Sequence, residues 1–299
     1  MNALQDAKAR IQAVKNRLNE PKQRIADMKG LVASTTESQE IITDLNGFYY
    51  DIEGNYLGNY GESKIVFISK KIIKKNIEVS ENNKFTTKTK ITTEDTPTTL
   101  SIEHDKFISN SSAVYGESSI AYNIFDLKEI YAIASVHKIN KIAYGINSPY
   151  AINFRSKKNE ERNLDIKMRT CIKATINSIQ NGIDYSNGAI GWDGAEQGFI
   201  SGNSCSEGNF QSHAACIGWT IHNNHYNSWK LALNNKFPKK VFVAPQHKAA
   251  LKCEAFKNKK TGAYYNYDYY RYESVAQYAL TIFWKDRGIN NESKNPVTD

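Results

Sequence analysis

Between Ser111 and Gly145 the chain reads SSAVYGESSIAYNIFDLKEIYAIASVHKINKIAYG, and this stretch limits the possible folds more than any other. Glu117 stands among Val114, Tyr115, Ile120 and Tyr122, with no other acid in the stretch before Asp126. The segment that follows, Leu127 to Tyr144, is apolar nearly all round. A helix with no polar face has to be buried, and Gly145 is placed to cap its C-terminus. A buried helix beside an acid holds that acid rigidly. Apolar surroundings disfavour the charged form of a carboxyl, the condition that a general acid needs near neutral pH. Gly116, next to the acid, leaves its backbone open to close approach by other groups.

The run Ala113-Val114-Tyr115-Gly116-Glu117-Ser118, followed by Ala132-Ile133-Ala134-Ser135-Val136 and Asn140, resembles the opening of the SleB-type cell-wall hydrolases, the spore-cortex-lytic family. A second block, Ala174 to Ala189, resembles that family's later helix, its Gly-x-Asp turn at Gly182 and Asp184, and its Gly-Ala at Gly188 and Ala189. After Ala189 the likeness weakens, because Ile190-Gly191-Trp192-Asp193-Gly194 stands where the family has an aromatic run and Asn-Pro. The resemblance implies a fold similar to lysozyme and the lytic transglycosylases, with Glu117 as the catalytic acid.

The apolar content, 40% hydrophobic and 11% aromatic over 299 residues, is enough for a real core in one or two domains. A net charge of +8 favours anionic partners: nucleic acid, a membrane surface or the acidic polymers of a bacterial wall. No dense Lys/Arg stripe and no nucleic-acid fingerprint accompanies it, so nucleic acid is set aside. Lys8, Arg10, Lys15, Arg17, Lys22, Arg24 and Lys29 interrupt the N-terminus and argue against a secretory signal. No run is long enough to span a membrane. Cys171, Cys205, Cys216 and Cys253 allow three disulfide pairings or four reduced thiols. No cofactor or metal motif is evident.

Three regions follow in order. Residues 1–45 are an amphipathic helical leader with Leu4, Ile11, Leu18, Ile25 and Val32 at seven-residue spacing and a break at Pro21. The leader either docks to a partner or packs on its own domain. Residues 46–105 are a β-hairpin and a Lys/Thr-rich connector. The phrase Phe48 to Ile68 is similar to hairpins found ahead of toxin domains in exported bacterial proteins. Residues 106–299 carry the chemistry. There Asn159 to Asn181 has Leu164, Met168, Cys171, Ile172, Thr175 and Ile179 at helical spacing. Gly182 to Gly208 reads as a cleft-lining loop, residues 209–236 as helical, and Val241-Phe242-Val243 as a short strand. Alternating Tyr265, Tyr267 and Tyr269 suggest a strand face, and Ser274 to Trp284 reads as a closing helix.

Cutting a glycosidic bond takes a protonated acid plus a second carboxylate, or a group of the substrate, to stabilise the charge on the sugar. With Glu117 as the acid, Asp193 is the preferred second carboxylate and Glu196 its competitor, while Trp192 can stack on a sugar ring and Tyr115 lies beside the acid as a substrate contact. Asp184 reads as a turn residue. A rival chemistry uses Cys205 as a nucleophile with His213, His222 or His225 as base, the arrangement of a wall peptidase or amidase. His222 and His225 could also grip a metal with Cys205 or Cys216, or simply pack.

The expectation is therefore an α+β, mainly α chain, a lysozyme-like catalytic domain behind a helical and β-hairpin leader. Its expected activity is cleavage of peptidoglycan glycan strands as a muramidase or lytic transglycosylase, with no cofactor. Lacking a signal peptide, it is expected to be an antibacterial toxin carried to the periplasm or wall of a target cell by another route. Type VI secretion with docking of residues 1–45 is one such route, phage lysis is another, and an immunity protein would be a partner. The reading from a different class is a non-enzymatic, secretion-associated protein that binds glycan.

Overall fold

The computed structural model describes residues 40–81, 84–140, 145–195, 221–240 and 272–286, and structural statements here concern those residues. The expected leader helix, Glu196, Cys205, His213, Cys216, Cys253, the Val241 strand and the tyrosine run lie outside them. By compactness the chain divides at 45/46, 72/73 and 92/93: Met1–Leu45 with Ile73–Thr92 form one unit, Asn46–Ile72 with Thr93–Asp299 the other. The sequence reading puts its boundary near residue 105 instead.

The first unit holds a three-stranded sheet in the order β1-β6-β5, from β1 (Ile41–Thr43), β5 (Ile72–Glu81) and β6 (Lys84–Thr93). Strand β1 runs parallel to β6 in the register Ile41↔Thr89, Ile42↔Lys90, Thr43↔Ile91. Threonine is β-branched and fits a pleated, half-buried surface, so the Lys/Thr-rich stretch pairs as strands. Ile91 and Lys88 are both buried, on opposite faces of β6, and the Lys88 ammonium lies 3.0 Å from Glu40.

The second unit begins with a mixed sheet in the order β3-β2-β4-β7: β2 (Gly47–Tyr50), β3 (Tyr56–Tyr60), β4 (Ile65–Ile68) and β7 (Thr98–Glu103). Strands β2 and β3 form the expected hairpin, β4 runs parallel to β2, and β7 returns antiparallel to β4. Asp51 closes the hairpin turn by accepting from the backbone and side-chain amides of Asn55 at 2.8 and 2.7 Å. Asn163 then clasps the β3 edge, accepting from Tyr56 N–H at 2.7 Å and donating to its carbonyl at 2.9 Å. The hairpin is thus bonded to the helical part and belongs to the same body.

Helix α1 (His104–Glu117) leaves β7 without a loop, and a 3-10 turn (Ser119–Tyr122) leads to α2 (Leu127–Asn140), α3 (Pro149–Ser156), α4 (Asn159–Leu164) and α5 (Ile166–Ile179). Phe107, Val114, Ile130, Ile133, Ile172 and Ile176 form one core with Tyr50, Val66 and Leu100 of the sheet. Each fully buried side chain of this size contributes about 1.5–3 kcal/mol. The single helix expected over Asn159 to Asn181 is two. Asp165 breaks it and caps α5, accepting from the N–H groups of Lys167 and Met168, so the apolar period restarts after it and Leu164 is left 89% exposed.

A third sheet, in the order β8-β10-β9, joins β8 (Gly191–Asp193), β9 (Tyr272–Tyr278) and β10 (Thr281–Asp286). Helix α6 (Asn223–Lys236) packs on the β9–β10 hairpin, with the buried Trp229 donating to Leu280 O at 2.9 Å.

The expected mainly α class is corrected by these sheets. Ten strands in three sheets stand beside six α-helices among the described residues, and the chain is mixed α/β. The expected closing helix, Ser274 to Trp284, is most of a hairpin. Val275, Thr281, Ile282, Phe283 and Trp284 are β-branched or aromatic and prefer that state. The glycine-rich stretch expected to be all loop contributes β8.

Candidate active site around Glu117

Helix α1 ends at Glu117 because Ser118 turns to extended backbone, its N–H bonding back to Val114 O. The acid therefore stands where one helix stops. A Cβ at Gly116 would fall 2.5 Å from Ser148 Oγ, 2.8 Å from Gly145 O and 3.0 Å from Ala151 Cβ, so glycine lets the start of α3 lie against the end of α1. Ser148 fixes that start by capping Ala151 N–H at 3.1 Å, with Pro149 in the first turn. Gly145 has φ +70, and a side chain there would land on the Glu117 carboxyl. Two glycines thus bring backbone onto the acid from one side.

From another side the Trp192 indole N–H donates to Glu117 Oε2 at 3.1 Å. Strand β8 presents this indole and is itself held by β10 through Phe283↔Trp192 and Ile282↔Asp193. Trp192 is partly buried against the core, so one ring edge is fixed on the acid. Successive side chains of a strand point to opposite faces. Asp193 accordingly turns away from the Trp192 face and accepts from the Trp284 indole at 2.8 Å. The structure joins Glu117 to Trp192 and places Asp193 on the other side of the strand.

Tyr115 is 7% exposed and packs on Phe154 with ring centroids 5.5 Å apart, so it is a core residue, not a substrate contact. Burial pushes its phenol above the ordinary range. Asp184 closes its own turn, accepting from Ser186 N–H at 2.7 Å and Gly188 N–H at 3.3 Å. Burial alone would raise its carboxyl, but these bonds and one from Ser135 outweigh it and hold the group below the usual range.

No protein-family model, no curated protein and no solved structure matches this chain.

His222 and His225 are occupied in clamping α6 to β9. Ser274 Oγ accepts from His222 N–H at 3.0 Å and bonds His225 Nδ1 at 2.8 Å, while His222 Nε2 lies 3.6 Å from Glu273. Ser274 is fully buried, so the His225–Ser274 pair is a clamp and not an exposed nucleophile. Cys171 is a free, buried thiol whose ionisation burial strongly opposes. Among the described residues no group of three His, Cys, Asp or Glu is placed to hold a metal ion, and no helix is long and apolar enough to cross a membrane.

A groove of about 600 Å³ lies elsewhere in the same unit, lined by Phe125, Tyr131, Arg169, Lys173, Ile183 and Tyr185 among others. Neither Glu117 nor Trp192 lines it. Its cations are engaged, Lys173 with Glu53 at 2.6 Å and Arg169 with Asn163 O at 3.1 Å.

Sequence reasoning missed Glu129. It sits in the segment read as apolar all round, yet its carboxyl is wholly buried in α2 and accepts from Ser119 and Thr281. Burial raises it to about 7 against the pull of those hydrogen bonds. The one available signal is an acid at the third position of a largely apolar helix.

Proposed function

We propose that this protein cleaves the glycan strands of peptidoglycan with Glu117 as general acid. The observation that carries the reading is the carboxyl at the end of buried helix α1, oriented by the Trp192 indole N–H at 3.1 Å and backed by the Gly145 backbone. A carboxyl fixed in this way meets the first need of glycosidic cleavage, delivery of a proton to the leaving oxygen. The indole beside it suits a sugar face. The Tyr-Gly-Glu resemblance to SleB-type hydrolases points the same way, and the net charge of +8 suits an acidic wall polymer.

Because Asp193 faces Trp284, the form of the reaction that the described residues support uses Glu117 alone. Glu117 protonates the leaving oxygen, then withdraws a proton from a hydroxyl of the same sugar as that oxygen attacks the anomeric carbon, which leaves an anhydro end. Delivery to a target wall by an export route that docks the basic, amphipathic leader, with an immunity protein in the producing cell, completes the proposal.

The test is mass analysis of soluble fragments after incubation of purified peptidoglycan with the protein. Anhydro-ended muropeptides are expected. Hydrated ends would reinstate a water-activating second carboxylate, and cut peptides would favour the Cys/His peptidase. Retained wall binding with no release would favour the non-enzymatic reading.

A further inference from the structure

Helix α2 buries an acid that the Glu117–Trp192 pair does not touch. Glu129 Oε2 accepts from Ser119 N–H at 2.9 Å, and Oε1 accepts from the hydroxyls of Ser119 and Thr281, both at 2.6 Å. Ser119 Oγ in turn accepts from Leu280 N–H at 3.2 Å. No cation pairs with Glu129 among the described residues; the ionisable groups that act on it or feel it are Asp126 at the start of α2 and Cys171 on α5. A buried carboxyl with no counter-ion is expensive to desolvate, and its position is one that a leucine would fill without that penalty. The hydrogen bonds explain what the acid does there.

Ser119 is the second residue after Glu117, and Thr281 opens β10. One pairing step across the sheet, Phe283↔Trp192, leads from β10 to the indole that donates to Glu117. The links form a closed circuit: Glu117, Ser119, the Glu129 carboxyl, Thr281, Phe283, Trp192 and back to Glu117. We propose that Glu129 is a positioning residue for the Glu117 site, a buried pin that holds the end of α1 and the β9–β10 hairpin in register so that the Trp192 N–H meets Glu117 Oε2. The activity arm of this proposal rests on Glu117 being the working acid; the structural arm does not.

Side-chain chemistry separates this role from plain packing. In Glu129→Leu one buried N–H and two hydroxyls lose their partner, and the carboxyl bridge from Ser119 to Thr281 is gone, leaving Ser119 with its bond from Leu280 N–H. In Glu129→Gln the amide can turn its oxygen to Ser119 N–H and its two N–H groups to the oxygens of the two hydroxyls, so all three links survive with the hydroxyls accepting where they now donate. Glutamine should therefore restore what leucine removes.

The experiment uses the full chain labelled with 15N at its four tryptophan indoles, with the Trp192 resonance assigned by its loss in Trp192→Phe. Glu129→Leu is expected to move that resonance and to lower muropeptide release about tenfold or more through kcat, since displacement of a reacting group by about 1 Å can lose 10²-fold. KM should change little, and Glu129→Gln should return both readouts to near wild type. If Glu129→Leu does not fold, Thr281→Val, which keeps the volume and removes one hydroxyl, should shift the same resonance in the same sense. An unmoved Trp192 resonance in folded Glu129→Leu or Thr281→Val overturns the proposal, as does a glutamine variant as damaged as the leucine one. If the wild type releases no muropeptides, the reading of Glu117 fails, and the indole resonance alone decides the role of Glu129.

Discussion

Glu117 and Trp192 lie 75 residues apart and meet through a single hydrogen bond. A hydrogen bond between neutral partners, as here when Glu117 carries the proton it delivers, contributes about 0.5–1.5 kcal/mol. Trp192→Phe keeps the ring and removes the donor, so muropeptide release should fall about tenfold while the protein stays folded; unchanged release would separate the indole from the acid. Gly145→Ala puts a side chain at φ +70 and onto the Glu117 carboxyl. It should lower unfolding free energy by about 1–2 kcal/mol in urea titrations and impair release as well. The close backbone approach at Gly116 is legible in the sequence because it is local to Tyr-Gly-Glu, whereas Gly145, read as a helix cap, meets Glu117 only in the fold. Tyr115 was misplaced because residues two apart on a helix do not share a face: with Glu117 at the site, Tyr115 turns into the core. Glu129 was invisible because its donors come from Ser119 and Thr281, the latter 152 residues away.

At the scale of elements, local patterning marks most of α2 and the β2–β3 hairpin, leaves α1 unmarked, and fails where pairing partners are distant. Strands β8 and β10 are joined across nearly a hundred positions of sequence, as Ile282↔Asp193 shows, and no short window contains that information. The β9–β10 hairpin carries Thr281, so its link to α2 predicts a pH signature. The Glu129 carboxyl is raised from 4.5 to about 7, chiefly by burial. A raised acid favours the folded state fully below its unfolded value, and that contribution is lost as pH climbs from about 4.5 to 7, amounting to about 3 kcal/mol at most. His104 acts in the opposite sense. Burial and the Arg162 charge hold it down to about 4, so the folded state loses stability as pH falls from 6.5 toward 4. The difference between Glu129→Gln and wild type isolates the carboxyl. In thermal melts the variant should gain on the wild type between pH 5 and pH 8, and a gap independent of pH would show that the carboxyl does not titrate in that window.

For the whole molecule, the stretch Ser111 to Gly145 lies inside the second compact unit, together with the β2–β3 hairpin that the sequence pattern groups with a leader. Strand β1 pairs with β6 in the first unit, so a truncation that respects the fold begins at residue 40. Removing residues 1–39 should leave peptidoglycan digestion in vitro intact and abolish export or killing of neighbouring cells; loss of digestion would show that the leader supports the catalytic unit. Whether the unit is catalytic is decided by Glu117→Gln, which keeps the shape of the side chain and removes its transferable proton. Release of soluble muropeptides from purified peptidoglycan should be followed by mass for both proteins, with matched circular dichroism and melting curves. General acid catalysis is typically worth about 10²–10⁴-fold, so the expected result is a loss of about a hundredfold or more in a folded variant. Release by Glu117→Gln within about threefold of the wild type would contradict the assignment of Glu117 as the acid.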